Sequence, residues 1–230
     1  MIYGGCSGYS FKEWVGRFYP PKTSPRDFLA YYATQLASVE VNHTFRRFPR
    51  LELIGSWAEK TPESFRFSFK MHQSVTHRSR LNHVARSVRD FMDALMPLGS
   101  RLGVVLFQLP PFFKLDLARL ETFLGDLPPG HRYAMEFRHE SWNDASVVER
   151  VKEAGVALCA AELEIGGTEI VQTAPFVYLR LRKPPPYTDD EIRRVRGVLS
   201  RASEKAEDVY FYVKHDTGGA APEQVRRIVG

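Results

Sequence analysis

Cysteine is scarce in this chain. Only Cys6 and Cys159 occur in 230 residues, far apart and without CxxC spacing, which argues against a disulfide framework and a zinc knuckle. Long apolar runs are missing too: no stretch approaches the roughly 20 residues of a membrane helix. The opening MIYGGCSGYS lacks the basic, apolar and small-residue parts of a secretory leader. These absences predict a cytoplasmic protein without a membrane partner. No GxSxG, Walker, GxGxxG or HExxH pattern occurs, and Gly4-Gly5-Cys6-Ser7-Gly8 lacks the lysine of a phosphate loop. No block of like charge dominates either. The net charge of +5 favours anionic partners without demanding nucleic acid.

What is present is alternation. Hydrophobic residues make up 43% of the chain, enough for a sizeable core. Short apolar runs predict strands at 2–5, 38–41, 65–70, 103–109, 133–137, 156–160, 176–181 and 209–213. The alternation of Phe65, Phe67 and Phe69 with polar residues suggests a strand with one buried face. Between the strands lie amphipathic segments with helix signals. Ser24-Pro25-Arg26-Asp27 reads as a capped start, Asp116 as an N-cap, Gly155 as a terminator and Thr188-Asp189-Asp190-Glu191 as a capping box. Eight strands alternating with about seven helices match a single (β/α)8 TIM-like barrel over residues 1–230 better than a doubly wound sheet of five or six strands. An irregular or missing helix is expected after the sixth strand, where Gly166-Gly167 interrupt a short connection.

Active sites of such barrels form at the carboxyl ends of the strands, and here those ends are polar. In YAMEFRHESW (133–142) the fifth strand runs into Glu136, Arg138, His139 and Trp142. Glu136 and Glu40 lie inside apolar runs, where an ionised carboxylate needs a partner or shifts its pKa. Acid, base or metal-ligand roles are open to them; so is a structural ion pair, Glu136 with Arg138 or Lys70. Lys70 becomes a reactive amine if buried, or pairs with a glutamate. His139 joins Glu136, Glu40 and Lys70 as a catalytic candidate, against the plainer role of a hydrogen-bonding loop residue. Ser7, Tyr9, Trp14, Asn42, Thr44, His77, Arg80, Gln108, Arg138, Trp142, Arg180, Arg182 and Asp216 are candidates for holding a substrate. Tyr9, Phe11, Trp14, Phe18 and Tyr19 either wall a pocket or form a satellite core under a long first loop. Residues 215–220 read as a phosphate-holding turn or a plain glycine turn. A divalent metal has no motif behind it.

Several stretches also carry a recognisable pattern: GGCSGYSFKEWVGRFYPP, VEVNHTFRRFP, FRFSFKMHQSVTHRSRL, LGVVLFQLPPFFK, YAMEFRHESW and VYLRLR. In this order the chain resembles the DUF72 (YecE-like) family of uncharacterised barrel proteins over nearly its whole length. The resemblance implies a TIM-like barrel but no established reaction. Its recurring polar positions fall on Ser7, Gly8, Glu40, Asn42, Thr44, Lys70, His77, Arg80, Gln108, Glu136, Arg138, His139, Trp142 and Arg180. The chain departs from that pattern at His43, Arg46, Glu162, Arg182-Lys183 and Lys214-His215, and these changes mostly add positive charge to the mouth.

Two functions follow as expectations. One is an enzyme, a hydrolase of a phosphorylated sugar or phosphodiester, with the glutamates at its centre and arginines orienting an anionic small molecule. The other is a non-catalytic barrel that binds nucleic acid through Arg46, Arg47, Arg78, Arg80 and Arg182, with Trp14 and Trp142 stacking on bases. A barrel serving only as a structural scaffold is a third.

Overall fold

The computed structural model describes residues 1–162, 170–216 and 218–230. Among these residues nine strand segments pair in parallel throughout: β1 (Ile2–Cys6), β2 (Ser38–Val41), β3 (Arg66–Lys70), β4 (Leu102–Gln108), β5 (Arg132–Glu136), β6 (Ala157–Leu158), β7 (Ala160–Glu162), β8 (Phe176–Leu181) and β9 (Asp208–Val213). Their order is β6-β5-β4-β3-β2-β1-β9-β8-β7. Because β6 runs into β7 through Cys159, the two ends of the sheet meet, and the fold is a TIM-like barrel. The single sixth strand expected from the sequence is thus two half-strands: β6 pairs with β5, and β7 pairs with β8. Thr173 pins this seam by accepting from the Leu158 amide (2.8 Å) and donating to the Val156 carbonyl (2.7 Å). No helix lies between β7 and β8 among the described residues, and Gly166-Gly167 fall outside them.

Among the described residues seven α-helices surround the barrel: α1 (Phe28–Gln35), α2 (Leu51–Glu59), α3 (Ala85–Leu95), α4 (Leu117–Gly125), α5 (Ala145–Glu153), α6 (Asp189–Lys205) and α7 (Ala221–Val229). Asp116 caps α4 by accepting from the Arg119 amide, and Thr188 with Glu191 completes both halves of a capping box on α6. The start of α1 lies later than Ser24-Pro25 suggests. Residues 24–27 make turns, Asp27 takes the N-cap position without a side-chain bond, and the helix begins at Phe28. There the apolar stripe of Phe28, Leu29 and Tyr32 first meets the barrel.

Strands buried on both faces separate two cores. Outward residues pack under the helices: Phe67 and Phe69 stack on Trp57 of α2 at centroid distances of 5.8 and 6.4 Å. The one-faced reading of 65–70 is therefore corrected. Its polar partner Ser68 is fully buried as well, on the inner face. The inner core is rich in tyrosine. Tyr3 stacks on Tyr210 at 5.0 Å, and Tyr212 shares its hydroxyl with Ser38 (2.6 Å) and Ser68 (2.7 Å). The Tyr212 hydroxyl is satisfied inside the barrel, as burial requires, while Tyr210 accepts from Arg132 and Tyr3 reaches the Met1 sulfur at the lower end.

So wide a filling leaves no slack where β1 meets β2. A Cβ on Gly5 would lie 1.9 Å from the Ser38 carbonyl oxygen, whereas one on Gly125, at the end of α4, would meet nothing within 4 Å. Gly5→Ala is expected to lose roughly 3 kcal/mol or to fail to fold. Gly125→Ala should gain up to about 1 kcal/mol from the lower backbone entropy of alanine in a helix. Urea denaturation of the two variants checks the opposite signs.

Candidate active site at the strand exits

The inner face of each strand points its last residues into one mouth. From β2 comes Glu40, from β3 Lys70, from β4 Gln108, from β5 Glu136, and from β8 and its exit Arg180 and Arg182. Glu40 and Glu136 are buried, at 0% and 1% exposure. Neither pairs with Lys70 or Arg138, the partners the sequence suggests for Glu136. Arg180 bridges them both. Its Nη2 donates to Glu40 Oε2 at 3.0 Å and its Nη1 to Glu136 Oε2 at 2.7 Å. Its Nε lies 2.9 Å from Glu40 Oε1, an ionic contact too bent to be a hydrogen bond. Arg182 adds a second cation on Glu136 Oε1 at 3.0 Å.

The remaining lone pairs are nearly all used. Asn42 donates to Glu40 Oε2 (2.7 Å), Tyr178 to Glu40 Oε1 (2.8 Å), and Gln108 Nε2 to Glu136 Oε1 (2.7 Å). Burial alone would push the Glu40 carboxyl up, but Arg180 and these hydrogen bonds outweigh it and hold the group below the ordinary carboxylate range. At Glu40 the charge pattern suits a fixed anion, not a carboxylic acid that exchanges its proton.

Lys70 is the contrasting group. Its Nζ donates to Gln108 Oε1 at 2.6 Å and sits 4.1 Å from the centre of the Phe45 ring. No carboxylate lies within ion-pair distance of it among the described residues, so the expected lysine–glutamate pair is replaced by a glutamine link. Burial pulls its pKa down to about 8, with Arg180 and Arg138 repelling the charge and the two glutamates only partly restoring it. His77 also packs on Phe45, its ring nearly perpendicular to the phenyl at 4.8 Å and its Nδ1 2.9 Å from the Thr76 hydroxyl. Burial, Lys70 and Arg138 together lower its pKa.

A model of the family described as protein of unknown function DUF72 matches residues 3–230. The chain belongs to that family. Two curated relatives carry the name UPF0759. YecE of Escherichia coli (strain K12) is 35% identical over 140 residues, covering 60% of this chain and 49% of the relative. YunF of Bacillus subtilis (strain 168) is 32% identical over 154 residues, covering 62% and 52%. The chain thus spans about half the length of these relatives. The crystal structure of a DUF72 family protein from Thermotoga maritima MSB8 superposes with a TM-score of 0.86 at 24% identity, covering 100% of this chain and 98% of the other. D-Psicose 3-epimerase from Clostridium cellulolyticum H10, at TM-score 0.59 and 12% identity, shares the fold alone.

The other residues singled out in the sequence divide by place. Thr44 is fully buried and donates to the Val41 and Lys70 carbonyls, which fixes the exits of β2 and β3. His139 accepts from the Ser141 amide through Nδ1 and so starts the short helix Glu140–Trp142. Trp142 is buried against Phe137 with its indole bonded to the Phe113 carbonyl (2.6 Å). Trp14 is likewise buried, among Phe11, Phe18 and Tyr19, and donates to the Asp216 carbonyl (2.9 Å). Trp14, Phe18 and Tyr19 are thus part of the main outer core, with Tyr9 and Phe11 packed against its edge. The Asp216 carboxylate occupies the start of α7, accepting from the Ala220 and Ala221 amides at 3.1 and 2.8 Å. Two of the amides near this turn are therefore taken by Asp216. Arg80 is exposed at φ 47° and lies off the cluster, its carbonyl beside Arg119. Ser7 and Tyr9 line a neighbouring cleft. For Glu162 the described residues include the backbone of β7 only. Among them no three His, Cys, Asp or Glu side chains converge on one point. The two glutamates accordingly have arginine partners and no third ligand beside them.

Tyr178 and Phe45 were not singled out from the sequence. Tyr178 could have been, since it sits two residues before Arg180 on the same face of one strand. Phe45 follows β2 in a short helical turn (His43–Phe45) with no periodicity to mark it.

Two outcomes follow from this arrangement. Arg180→Met leaves two buried carboxylates without their bridge and should cost about 3–5 kcal/mol in urea denaturation, while raising the Lys70 pKa above 8 in an NMR titration. Arg182→Met, at a side chain 29% exposed, should cost under about 1 kcal/mol. The second outcome concerns pH. Below about 8 both the folded and unfolded chains protonate Lys70, and the folded protein bears the full cost of its charge. Between that value and the unfolded pKa near ~10.4 only the unfolded chain holds the proton, so this contribution to stability rises with pH. Chemical denaturation across this window should show a smaller rise for Lys70→Met than for wild type.

Proposed function

We propose that the protein is an enzyme that binds a small phosphorylated substrate at this mouth and uses the Lys70 amine to move a proton. The observation that carries the reading is the surplus of cations: Arg180 and Arg182 between them offset the two buried carboxylates, while Lys70 and exposed Arg138 have no carboxylate partner among the described residues. Together with Arg182 they favour an anion, and arginine forks match phosphate oxygens well. The expected hydrolysis of a sugar phosphate or phosphodiester is the reaction best suited to them. Neutral Lys70 takes a proton from water as the oxygen attacks phosphorus, and the resulting ammonium returns it to the leaving oxygen. Arg138 and Arg182 offset the charge that develops on the phosphoryl oxygens. Glu40 and Glu136 then act as positioning residues for Arg180 and, through Gln108, for Lys70. The nucleic-acid alternative relies on Trp14 and Trp142 as stacking platforms, and both indoles are buried and hydrogen-bonded.

The test is a turnover screen over sugar phosphates and phosphodiesters, with wild type, Lys70→Met and Arg182→Met assayed together. Wild type should hydrolyse at least one class, with kcat/KM rising with pH to a plateau above about 8, where the amine is neutral. Lys70→Met should lower kcat by roughly 10²–10⁴, and Arg182→Met should mainly raise KM. Turnover that survives intact in Lys70→Met removes the lysine from the chemistry; no turnover of any phosphate by wild type removes the hydrolase reading.

A further inference from the structure

Beside the cation cluster lies a cleft of about 540 Å³, walled by Tyr9, Phe11, Leu53 and Trp57 and edged by Asn42 and His43. That size falls within the range of small-molecule sites. Its walls are aromatic. Phe11 and His215 stack at 4.7 Å and 13°, and Trp57 meets Tyr9 and His43 nearly at right angles, at 6.1 and 5.6 Å. The cleft and the cation cluster occupy two halves of one mouth: β9, β1 and β2 exit into the first, and β3, β5 and β8 into the second. Asn42 belongs to both, since it lines the cleft while donating to Glu40 Oε2 at 2.7 Å.

We infer that this cleft holds a planar heteroaromatic ring of the same molecule whose phosphate meets Arg182 and Arg138, so that the substrate class is a nucleoside monophosphate. This inference rests on the phosphorylated-substrate reading above and adds the identity of the group attached to the phosphate. A bare sugar would leave the aromatic walls uncovered. An alkyl chain would cover them but leave the hydrogen-bonding groups of Ser10, Asn42 and His43 at the rim unmatched. A nucleobase satisfies both, presenting π-faces to the walls and ring nitrogens and exocyclic groups to the rim. Gly8 is part of the construction. With φ at 113° it turns the chain, and a Cβ there would press to 2.9 Å against the Phe11 ring that forms the wall.

The test compares adenosine 5′-monophosphate with ribose 5-phosphate by calorimetry on the full chain, using wild type, Leu53→Ser, His43→Ala and Arg182→Met. The nucleotide should bind wild type roughly tenfold tighter than the sugar phosphate, the lower end of what stacking one base contributes. Leu53→Ser and His43→Ala should shrink that ratio while leaving ribose 5-phosphate affinity unchanged. Arg182→Met should weaken both ligands alike. Equal binding of the two ligands by wild type overturns the ring site and leaves the phosphate site standing, as does a ratio that persists in both cleft variants. Failure of wild type to bind either phosphate overturns both readings.

Discussion

Two ionised carboxylates inside a barrel are tolerable only if something charged is held between them, and here that is Arg180. A lysine could not replace it. The guanidinium is planar and offers donors in a fixed fork, so one side chain meets Glu40 on β2 and Glu136 on β5 from its place on β8. The contact requires both glutamates and Arg180 to face inward, and a slip of one residue in any of these strands would turn its charge into the helix layer. The parallel register of β8 against β9, in which Arg180 lies opposite Tyr212, is therefore tied to the same ion pair that organises the mouth. Buried ion pairs often contribute little net stability, but breaking one is costly. The bridge thus specifies the arrangement more than it strengthens the fold.

The tyrosines below this layer have the same constraint in neutral form. Large rings fill the middle of the barrel, and each hydroxyl needs a partner. Tyr178 finds Glu40, Tyr212 finds Ser38 and Ser68, and Tyr210 accepts from Arg132 at 3.0 Å. Satisfaction of the floor and satisfaction of the site meet at Tyr178, whose hydroxyl is one of the groups holding Glu40 ionised. A barrel filled with aliphatic side chains would lack that donor and leave Glu40 with fewer partners.

The architecture was legible because its signals are local. The strand periods, the Asp116 cap and the Thr188–Glu191 capping box are written in neighbouring residues, and they placed nearly every element within a few positions. The break at Cys159 was not legible, since it arises from closure of the ring between β5 and β8. The site was half legible. An acidic residue within YAMEF or SVEVN announces a buried charge, but its partner depends on which strands face one another across the barrel. Hence Arg138, two residues on, and Lys70, at another strand exit, both suit Glu136 by charge alone, whereas Arg180, 44 residues away, is the group that reaches it. Trp14, Trp142, His139 and Asp216 show the converse. Each has functional chemistry by type, and each is occupied with a backbone group of its own loop or a neighbouring one.

Gln108 decides what remains for Lys70. Its amide faces two neighbours of opposite demand: the NH2 group is bound to Glu136, which leaves only the carbonyl for the lysine. The amine is thereby oriented by a neutral dipole in a place where a carboxylate would have held it as a firm ammonium. Had Glu136 reached Lys70 directly, the pair would have stabilised both charges and raised the amine pKa. Inserting the amide keeps the anion one residue away, so that burial and the repulsion from Arg180 and Arg138 prevail. The bridge that stabilises the carboxylates and the lowered basicity of Lys70 are in this sense one electrostatic arrangement: the more completely Arg180 satisfies the glutamates, the less negative charge is left to retain a proton on the lysine.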